Sequence, residues 1–404
     1  MSRVVLGVAG GIAAYKTASL LRLLTESGHE VTVVPTTSAL QFVGAPTWAA
    51  LSGRPVRTEV WDDVHEVPHV RLGQQADLVV VAPATADLLA RAAHGMADDL
   101  LTSTLLTARC PVVLAPAMHT EMWEHPATRA NVATLRQRGV LVVEPASGRL
   151  TGADSGAGRL PEPEALFALC RHVLRRGAPR VDLAGRRVVV SAGGTREPLD
   201  PVRFLGNRSS GKQGYALATT AAARGAAVVL VTTAELPDPA GATVVRVETA
   251  EQLRVAMREQ QAGADAVVMA AAVADYRPQQ VADHKLKKSD DGSSPTLPLV
   301  RNPDVLVELV AAQQAGQVVV GFAAETGDDH GDVLTHGRAK LARKGCDLLV
   351  VNEVGAGKAF GTDTNAAVLL RRDGGEVVVP SGPKEALADA VWDVVTTIWS
   401  SPPG

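Results

Sequence analysis

The chain is poor in the residues that staple, anchor or mark many proteins. Among its 404 residues there are three cysteines, Cys110, Cys170 and Cys346. They are too few and too scattered for a disulfide framework or a zinc site, which points to a reducing compartment. Aromatic residues make up 3% of the sequence, so its cores must be built from Val, Ala and Leu, a composition suited to parallel strands covered by closely packed helices. No apolar run approaches the roughly 18 residues of a membrane-spanning helix. A net charge of −3 leaves no electrostatic footprint for nucleic acid or a membrane surface. Met1-Ser2-Arg3-Val4 leads straight into an apolar strand without a signal-peptide pattern, so a cytoplasmic location is expected. Neither G-x-G-x-x-G nor G-x-x-x-x-G-K-[ST] occurs; this argues against a plain nicotinamide dehydrogenase and a Walker-type site.

What is present suits a large α/β protein. Hydrophobic residues make up 46% and charged residues 21%, and the length calls for two or three domains. The centre of the pattern is Arg186–Gly214. There an apolar run, Val188-Val189-Val190, drops into the turn Ser191-Ala192-Gly193-Gly194-Thr195, and Ser209-Ser210-Gly211-Lys212 leads into an alanine-rich helix over Tyr215–Ala223. Strand, small-residue loop and helix start, in that order, expose backbone N–H groups to an anion. The same grammar opens the chain: strand Arg3–Val8, turn Ala9-Gly10-Gly11-Ile12, a helix to about Glu26, Gly28 to end it, and strand Glu30–Val34. That turn could hold a phosphate with hydroxyls from Thr36, Thr37 and Ser38, or could serve only to pack strand against helix. The expected fold class is α/β, with two Rossmann-like parallel-sheet domains in series over 1–178 and 179–404, joined by the linker Arg175-Arg176-Gly177-Ala178-Pro179-Arg180.

Further along the first half, the strand Leu78–Ala82 ends in Pro83-Ala84-Thr85-Ala86-Asp87, a turn where a flat ring could lie against backbone. His69 stands just upstream in a polar setting. The strand Pro111–Ala115 runs into Pro116-Ala117-Met118-His119-Thr120-Glu121-Met122-Trp123. The stretch 148–163 holds four glycines in sixteen residues without periodicity and is expected to be a mobile loop able to cover a site.

These segments resemble the flavin-dependent cysteine decarboxylases. From about residue 4 to residue 395 the chain resembles the bifunctional coenzyme A biosynthesis family, which joins a phosphopantothenoylcysteine decarboxylase to a phosphopantothenate–cysteine ligase. The resemblance implies a flavodoxin-like FMN domain, with the phosphate near Gly10, Gly11 and Ser38 and the ring near Ala82, Pro83, Ala84 and Thr85. It makes His69 the base for a decarboxylation that proceeds through transient flavin oxidation, with Met118 and residue 119 holding the substrate carboxylate. Two positions depart from the family pattern. His119 replaces the usual Asn, and Gly152 stands where the flap cysteine donates a proton. Asp154, His119 or a water remains as the proton source, or the last step is impaired.

In the second half the residues give strand Ala226–Thr232, helix Thr249–Gln261, strands Ala266–Ala270, Val318–Phe322 and Leu348–Val351, a terminal hairpin Ala366–Arg371 with Glu376–Val379, and a closing helix Lys384–Trp399. Asp275 lies just past a strand end, where a ribose- or metal-binding carboxylate belongs. Lys285, Lys287 and Lys288 form either a solvated basic loop or part of a triphosphate site. Lys340 and Lys344, one helical turn apart, repel each other unless an anion lies between them. The family resemblance implies CTP, with binding by Met269, Ala270, Ala271, Asp275, Lys285, Pro303, Asp304, Val305, Leu306, Phe322, Lys340 and Lys344, and Mg2+ near Asp275. It further implies that Asn207, Arg203 and Ala272 act on an acyl-cytidylate formed from 4′-phosphopantothenate, which cysteine then attacks. A homo-oligomer, a dodecamer, is expected from the resemblance. The rival readings are an active ligase carrying an inactive flavin domain, and a non-enzymatic flavoprotein-fold scaffold.

Overall fold

The computed structural model describes residues 1–57, 67–149, 155–176, 181–287, 296–325, 333–353 and 364–400. The chain divides into two compact units, one of Met1–Gly185 with Ala222–Ala226 and Asp238–Ala242, the other of the remaining residues. Among the described residues no helix is long and apolar enough to cross a membrane.

The first unit runs β1 (Arg3–Val8), α1 (Ala14–Glu26), β2 (Glu30–Pro35), α2 (Ala45–Ser52), α3 (Pro68–Gln75), β3 (Leu78–Ala84), α4 (Ala86–His94), α5 (Leu100–Thr107), β4 (Val112–Pro116), α6 (Thr120–Glu124), α7 (Pro126–Gln137), β5 (Leu141–Val142), β6 (Ala146–Arg149), β7 (Ser155–Arg159) and α8 (Pro163–Arg176). Its main sheet has the all-parallel order β2-β1-β3-β4-β5, the flavodoxin-like arrangement. The alternation of each strand decides which layer covers it. Val4, Leu6 and Val8 of β1 join a core with Leu20, Leu21 and Leu24 of α1, and Val5 joins the opposite core with Leu88 and Leu89 of α4. Each such fully buried side chain contributes roughly 1.5–3 kcal/mol. Local chemistry sets the helix ends. Thr85 caps α4 by accepting the Leu88 N–H at 3.3 Å, Arg91 and His94 lie in its last turn, and Gly95 closes it at φ 69°.

The second unit runs β8 (Arg187–Ala192), β9 (Arg196–Asp200), β10 (Arg203–Gly206), α9 (Lys212–Ala223), β11 (Ala227–Thr232), β12 (Ala242–Arg246), α10 (Ala250–Gln261), β13 (Ala266–Met269), β14 (Tyr276–Pro278), β15 (Leu299–Arg301), α11 (Val305–Ala311), β16 (Val318–Glu325), α12 (Val333–Lys344), β17 (Leu348–Glu353), β18 (Thr364–Arg371), β19 (Glu376–Pro383) and α13 (Lys384–Ser400). The large sheet has the order β12-β11-β8-β13-β16-β17-β18-β19. Its first six strands, counted from β8 along the chain, follow the 3-2-1-4-5-6 order of dinucleotide folds. Strands β11, β8, β13, β16 and β17 are mutually parallel, while β18 and β19 are antiparallel. The expectation of a parallel sheet therefore holds for the centre, and the terminal hairpin turns the whole into a mixed sheet. The Arg- and Pro-rich excursion after the second glycine turn is itself a hairpin, β9–β10.

Candidate functional site

In the first unit the C-terminal ends of β1, β2 and β3 converge. A Cβ on Gly10 would lie 2.3 Å from the Ser38 Cβ, and one on Gly11 would sit 3.9 Å from Thr85 Cγ2 and 4.0 Å from Pro83 Cγ. Ala9 donates its N–H to the Pro83 carbonyl (3.1 Å), and the Thr17 hydroxyl donates to the Ala82 carbonyl (2.6 Å). Gly10, Gly11, Ser38, Pro83 and Thr85 thus share one edge of the sheet. The turn expected from Pro83 onward begins later, because β3 continues through Ala84, which pairs with Pro116 after a register shift. Proline has no N–H to give the ladder, so Pro83 interrupts the pairing without ending the strand, and Thr85 takes over as helix cap.

His69 sits on α3, held by the Thr107 hydroxyl, which donates to its carbonyl (2.7 Å). Its ring Nδ1 is buried and has no hydrogen-bond partner. The described hydrogen bonds do not link the ring to the glycine turn. His119 is exposed at the start of α6 and its side chain caps nothing.

The glycine-rich stretch, expected as an irregular loop, has two antiparallel arms, β6 and β7. Met118 donates its N–H to the Gly158 carbonyl (2.9 Å), and the Thr120 hydroxyl donates to the Ala157 carbonyl (2.8 Å). A Cβ on Gly158 would lie 2.1 Å from the Met118 carbonyl oxygen, and one on Gly156 would lie 2.3 Å from Thr120 Oγ1. The glycines are there because this arm lies directly against residues 118–120. Gly152 and the proton-donor candidate Asp154 lie outside the described residues, as does Lys288. Burial pushes the Cys170 thiol up to about 12 and those of Cys110 and Cys346 to about 11, so all three are protonated at neutral pH.

In the second unit the ends of β8 and β13 meet where the strand order reverses, the position at which doubly wound sheets take their ligands. The loop after β13 is held there almost entirely by its own backbone. Ser191 Oγ accepts the Ala271 N–H (3.1 Å), the Gly193 carbonyl accepts the Ala272 N–H (2.8 Å), and Thr195 donates its N–H to the Ala272 carbonyl (3.2 Å). Thr195 Oγ1 accepts the Ala274 N–H (2.9 Å), and Asn302 Nδ2 donates to the Ala274 carbonyl (2.8 Å). Asn207 Nδ2 donates to the Val273 carbonyl (2.9 Å).

Two adjoining clefts flank this loop, of about 690 and 370 Å³, and Ala271, Val273, Asp275, Phe322 and Lys340 line both. Met269, Pro303, Asp304, Val305, Leu306 and Lys344 line the larger one. Asn207, Ala270 and Ala272 line the smaller. Lys344 forms an ion pair with Asp304, which also caps α11 by accepting the Val307 N–H (3.3 Å). Contrary to the expectation of an anion between Lys340 and Lys344, a carboxylate of the protein, Asp304, already neutralises Lys344.

Arg203 and Lys285 line neither cleft. Arg203 donates through Nε and Nη2 to Asp200 Oδ2 (2.9 and 2.6 Å) and through Nη2 to the Leu286 carbonyl (2.6 Å). Asp200 also accepts the Leu286 N–H (3.1 Å), so this pair ties the loop carrying Lys285 to the β9–β10 hairpin. Burial alone would raise the Asp200 carboxyl. The Arg203 guanidinium and the N–H groups of Val202 and Leu286 outweigh it and hold the pKa down at about 2. Among the described residues no group of three or more His, Cys, Asp or Glu is gathered for a metal.

The reading of the sequence passed over Gln213, Asn352, Asn365 and Lys384, all on the smaller cleft. One signal pointed there. Gly206–Lys212 has the G-x-x-x-x-G-K spacing, with Gln213 in place of the final hydroxyl residue.

Residues 1–175 match the Flavoprotein family, and residues 183–398 match the DNA/pantothenate metabolism flavoprotein C-terminal domain. The coenzyme A biosynthesis bifunctional protein CoaBC of Mycobacterium tuberculosis (strain ATCC 25618 / H37Rv) is 62% identical over 403 residues, covering 98% of this chain and 96% of that protein. The protein of the same name from Vibrio cholerae is 43% identical over 397 residues, covering 97% of both chains. Among solved structures, the C-terminal domain of a CoaBC protein is 32% identical over 55% of this chain and 98% of its own, with a TM-score of 0.46. The FMN-dependent cysteine decarboxylase SpaF is 34% identical over 44% of this chain and 97% of its own, with a TM-score of 0.38. Two domain families in this order, and relatives matched from end to end, lead to one conclusion: the chain belongs to the family of bifunctional coenzyme A biosynthesis proteins.

Proposed function

We propose that the chain carries out two successive steps of coenzyme A biosynthesis: CTP-dependent condensation of 4′-phosphopantothenate with cysteine in the second unit, and decarboxylation of the product to 4′-phosphopantetheine in the first. Identity of 62% to a CoaBC protein over 98% of the chain is the observation that carries this reading.

The first unit suits FMN. The missing side chain of Gly10 lets Ser38 close against the turn, Gly11 has no neighbour nearer than 3.9 Å to a Cβ and so leaves room for a phosphate, and Ala82–Thr85 offers a flat edge. FMN, when bound, supplies the transient oxidation without which a saturated cysteinyl carboxylate cannot lose carbon dioxide. His69, with its unpaired buried nitrogen, takes the first proton. His119 and the Met118 region hold the departing carboxylate, and Asp154 or His119 returns the final proton in place of the missing cysteine.

The larger cleft of the second unit takes CTP, with Lys340 on the phosphates, Lys344 joining it when it leaves Asp304, and Asp275 toward Mg2+. Lys285 reaches the triphosphate from the loop fixed by Asp200 and Arg203. The smaller cleft takes 4′-phosphopantothenate. Its carboxylate attacks the α-phosphorus and releases pyrophosphate, and the cysteine amine then displaces CMP to form the amide. Asn207 and Ala272, on the smaller cleft, face the acyl-cytidylate. The protein works in the cytoplasm as a homo-oligomer, a dodecamer.

Mass spectrometry of one reaction containing the protein, 4′-phosphopantothenate, cysteine, CTP and Mg2+ tests the proposal. Phosphopantetheine is the expected product. Phosphopantothenoylcysteine alone would favour a ligase carrying an inactive flavin domain, the reading that Gly152 and His119 support; no product would overturn the ligase activity, and phosphopantothenoylcysteine supplied directly and left unconverted would overturn the decarboxylase.

A further inference from the structure

The smaller cleft of the second unit has a floor of side-chain amides that the scheme above leaves without a task. Asn352, at the end of β17, donates from Nδ2 to Asn365 Oδ1 (2.7 Å) and to the Ala366 carbonyl (3.0 Å). Asn365, near the start of β18, accepts the Ala366 N–H on the same Oδ1 (3.1 Å) and donates from Nδ2 to Gln213 Oε1 (3.0 Å). Gln213, in the first turn of α9, donates from Nε2 to the carbonyl of Lys384, the first residue of α13 (3.1 Å). All four residues line the cleft.

The chain has a direction. Turning over any one amide would set N–H against N–H or oxygen against oxygen, so each bond fixes the next. Its spare capacity differs at the two ends. Both hydrogens of Asn352 Nδ2 are used, and no described residue donates to its Oδ1, which leaves an acceptor. Asn365 and Gln213 each keep one N–H, which leaves donors beside the N-terminus of α9. Asn352 and Asn365 are buried, 7% and 9% exposed, so a ligand that fails to pair with them leaves polar atoms unsatisfied.

We propose that this amide chain determines the specificity for 4′-phosphopantothenate, an inference that rests on the ligase reading of the second unit. Asn352 Oδ1 accepts a hydrogen bond from a hydroxyl or amide N–H in the neutral stem of the substrate. The spare N–H groups of Asn365 and Gln213 serve acceptors nearer its phosphate. Asn365 is the positioning residue that holds both neighbours. The assignment also gives β18 a purpose, because the antiparallel hairpin is what brings Asn365 to the cleft.

The test is steady-state kinetics of pyrophosphate release by the full-length protein, varying 4′-phosphopantothenate, cysteine and CTP in turn, with a melting temperature for each variant. Asn352→Leu and Asn365→Leu are expected to raise the KM for 4′-phosphopantothenate about tenfold or more, because a buried hydrogen-bonding group loses its partner. The KM values for CTP and cysteine, and kcat at saturation, are expected to stay within about threefold by the same argument. Asn365→Asp keeps the acceptor for Asn352 but loses the donor to Gln213, and is expected to fall between wild type and Asn365→Leu. If Asn352→Leu does not fold, Asn352→Ser carries the same expectation. An equal loss for all three substrates, or a KM rise confined to cysteine or CTP, would overturn the assignment. A wild-type protein that forms no phosphopantothenoylcysteine would instead overturn the ligase reading beneath it.

Discussion

Thr195→Val exchanges a hydroxyl for a methyl in the turn after β8 that holds the loop between the two clefts, while keeping the shape of the side chain. Thr195 is fully buried, and its hydroxyl accepts the N–H of Ala274, itself 4% exposed. Valine fills the same space but cannot accept, so the Ala274 N–H is left buried and unpaired at a cost of about 1–3 kcal/mol. For a unit of roughly 150–250 residues each kcal/mol lowers the melting temperature by about 2–4 °C, giving an expected fall of about 2–12 °C. The chemistry should suffer as well, since Asp275 follows Ala274 directly and lies between both clefts. A displacement of about 1 Å at such a group costs on the order of a hundredfold in rate, so kcat/KM for CTP is expected to fall at least tenfold. Calorimetry and pyrophosphate release read the two effects. Decarboxylation of separately supplied phosphopantothenoylcysteine should be unchanged, and Thr195→Ser, which keeps the hydroxyl, should restore both stability and rate. Wild-type behaviour of Thr195→Val, or equal damage from Thr195→Ser, would refute the role given to the hydroxyl.

Other perturbations follow from the same geometry. Gly10→Ala places a Cβ 2.3 Å from that of Ser38; overpacking of this kind costs about 1–3 kcal/mol, and flavin absorbance of the purified protein should drop while ligase activity persists. Thr120→Val removes the bond to the Ala157 carbonyl, worth about 1 kcal/mol, and should speed hydrogen exchange along β7 roughly fivefold by that amount. His69→Gln should abolish decarboxylation and leave phosphopantothenoylcysteine to accumulate. The Asp200 carboxyl titrates at about 2 in the folded protein, below its unfolded value of about 3.9. Its stabilising contribution is therefore complete above the unfolded value and lost as pH falls through about 2. The difference in urea midpoint between wild type and Asp200→Asn should accordingly be constant from pH 5 to 7 and shrink between about pH 4 and 2. A constant difference down to pH 2 would contradict the assignment.

The parts of the site that lie next to each other in the chain could be read without coordinates. Glycine pairs after apolar strands announced both ligand edges, and Asp275 followed from its place just beyond a strand end. Ten of the residues expected around CTP do border the larger cleft, because strand-end loops of one sheet open on the same side. Arg203 and Lys285 could not be placed this way. Their positions depend on Asp200, a carboxylate whose partners come from both flanking hairpin and distant loop. The two arms of the glycine flap, Ala146–Arg149 and Ser155–Arg159, were expected to be irregular and are paired strands for a related reason. Glycine in a sequence signals conformational freedom, but Gly156 and Gly158 are needed for close contact with Thr120 and Met118, and that contact orders the arm.

The sequence alone determined the repeated strand–glycine–helix grammar, the α/β class and the strand ends that carry ligands, because these rest on periodicity and turn chemistry within a dozen residues. Tertiary structure alone decided the pairing of Lys344 with Asp304 across 40 positions and of Asn365 with Gln213 across 152. It also decided that the terminal hairpin extends the parallel sheet with antiparallel strands. Nothing local favours those contacts. They form because the packed sheet has already met the entropy of bringing distant segments together, after which a buried amide or ammonium takes whatever partner lies within reach.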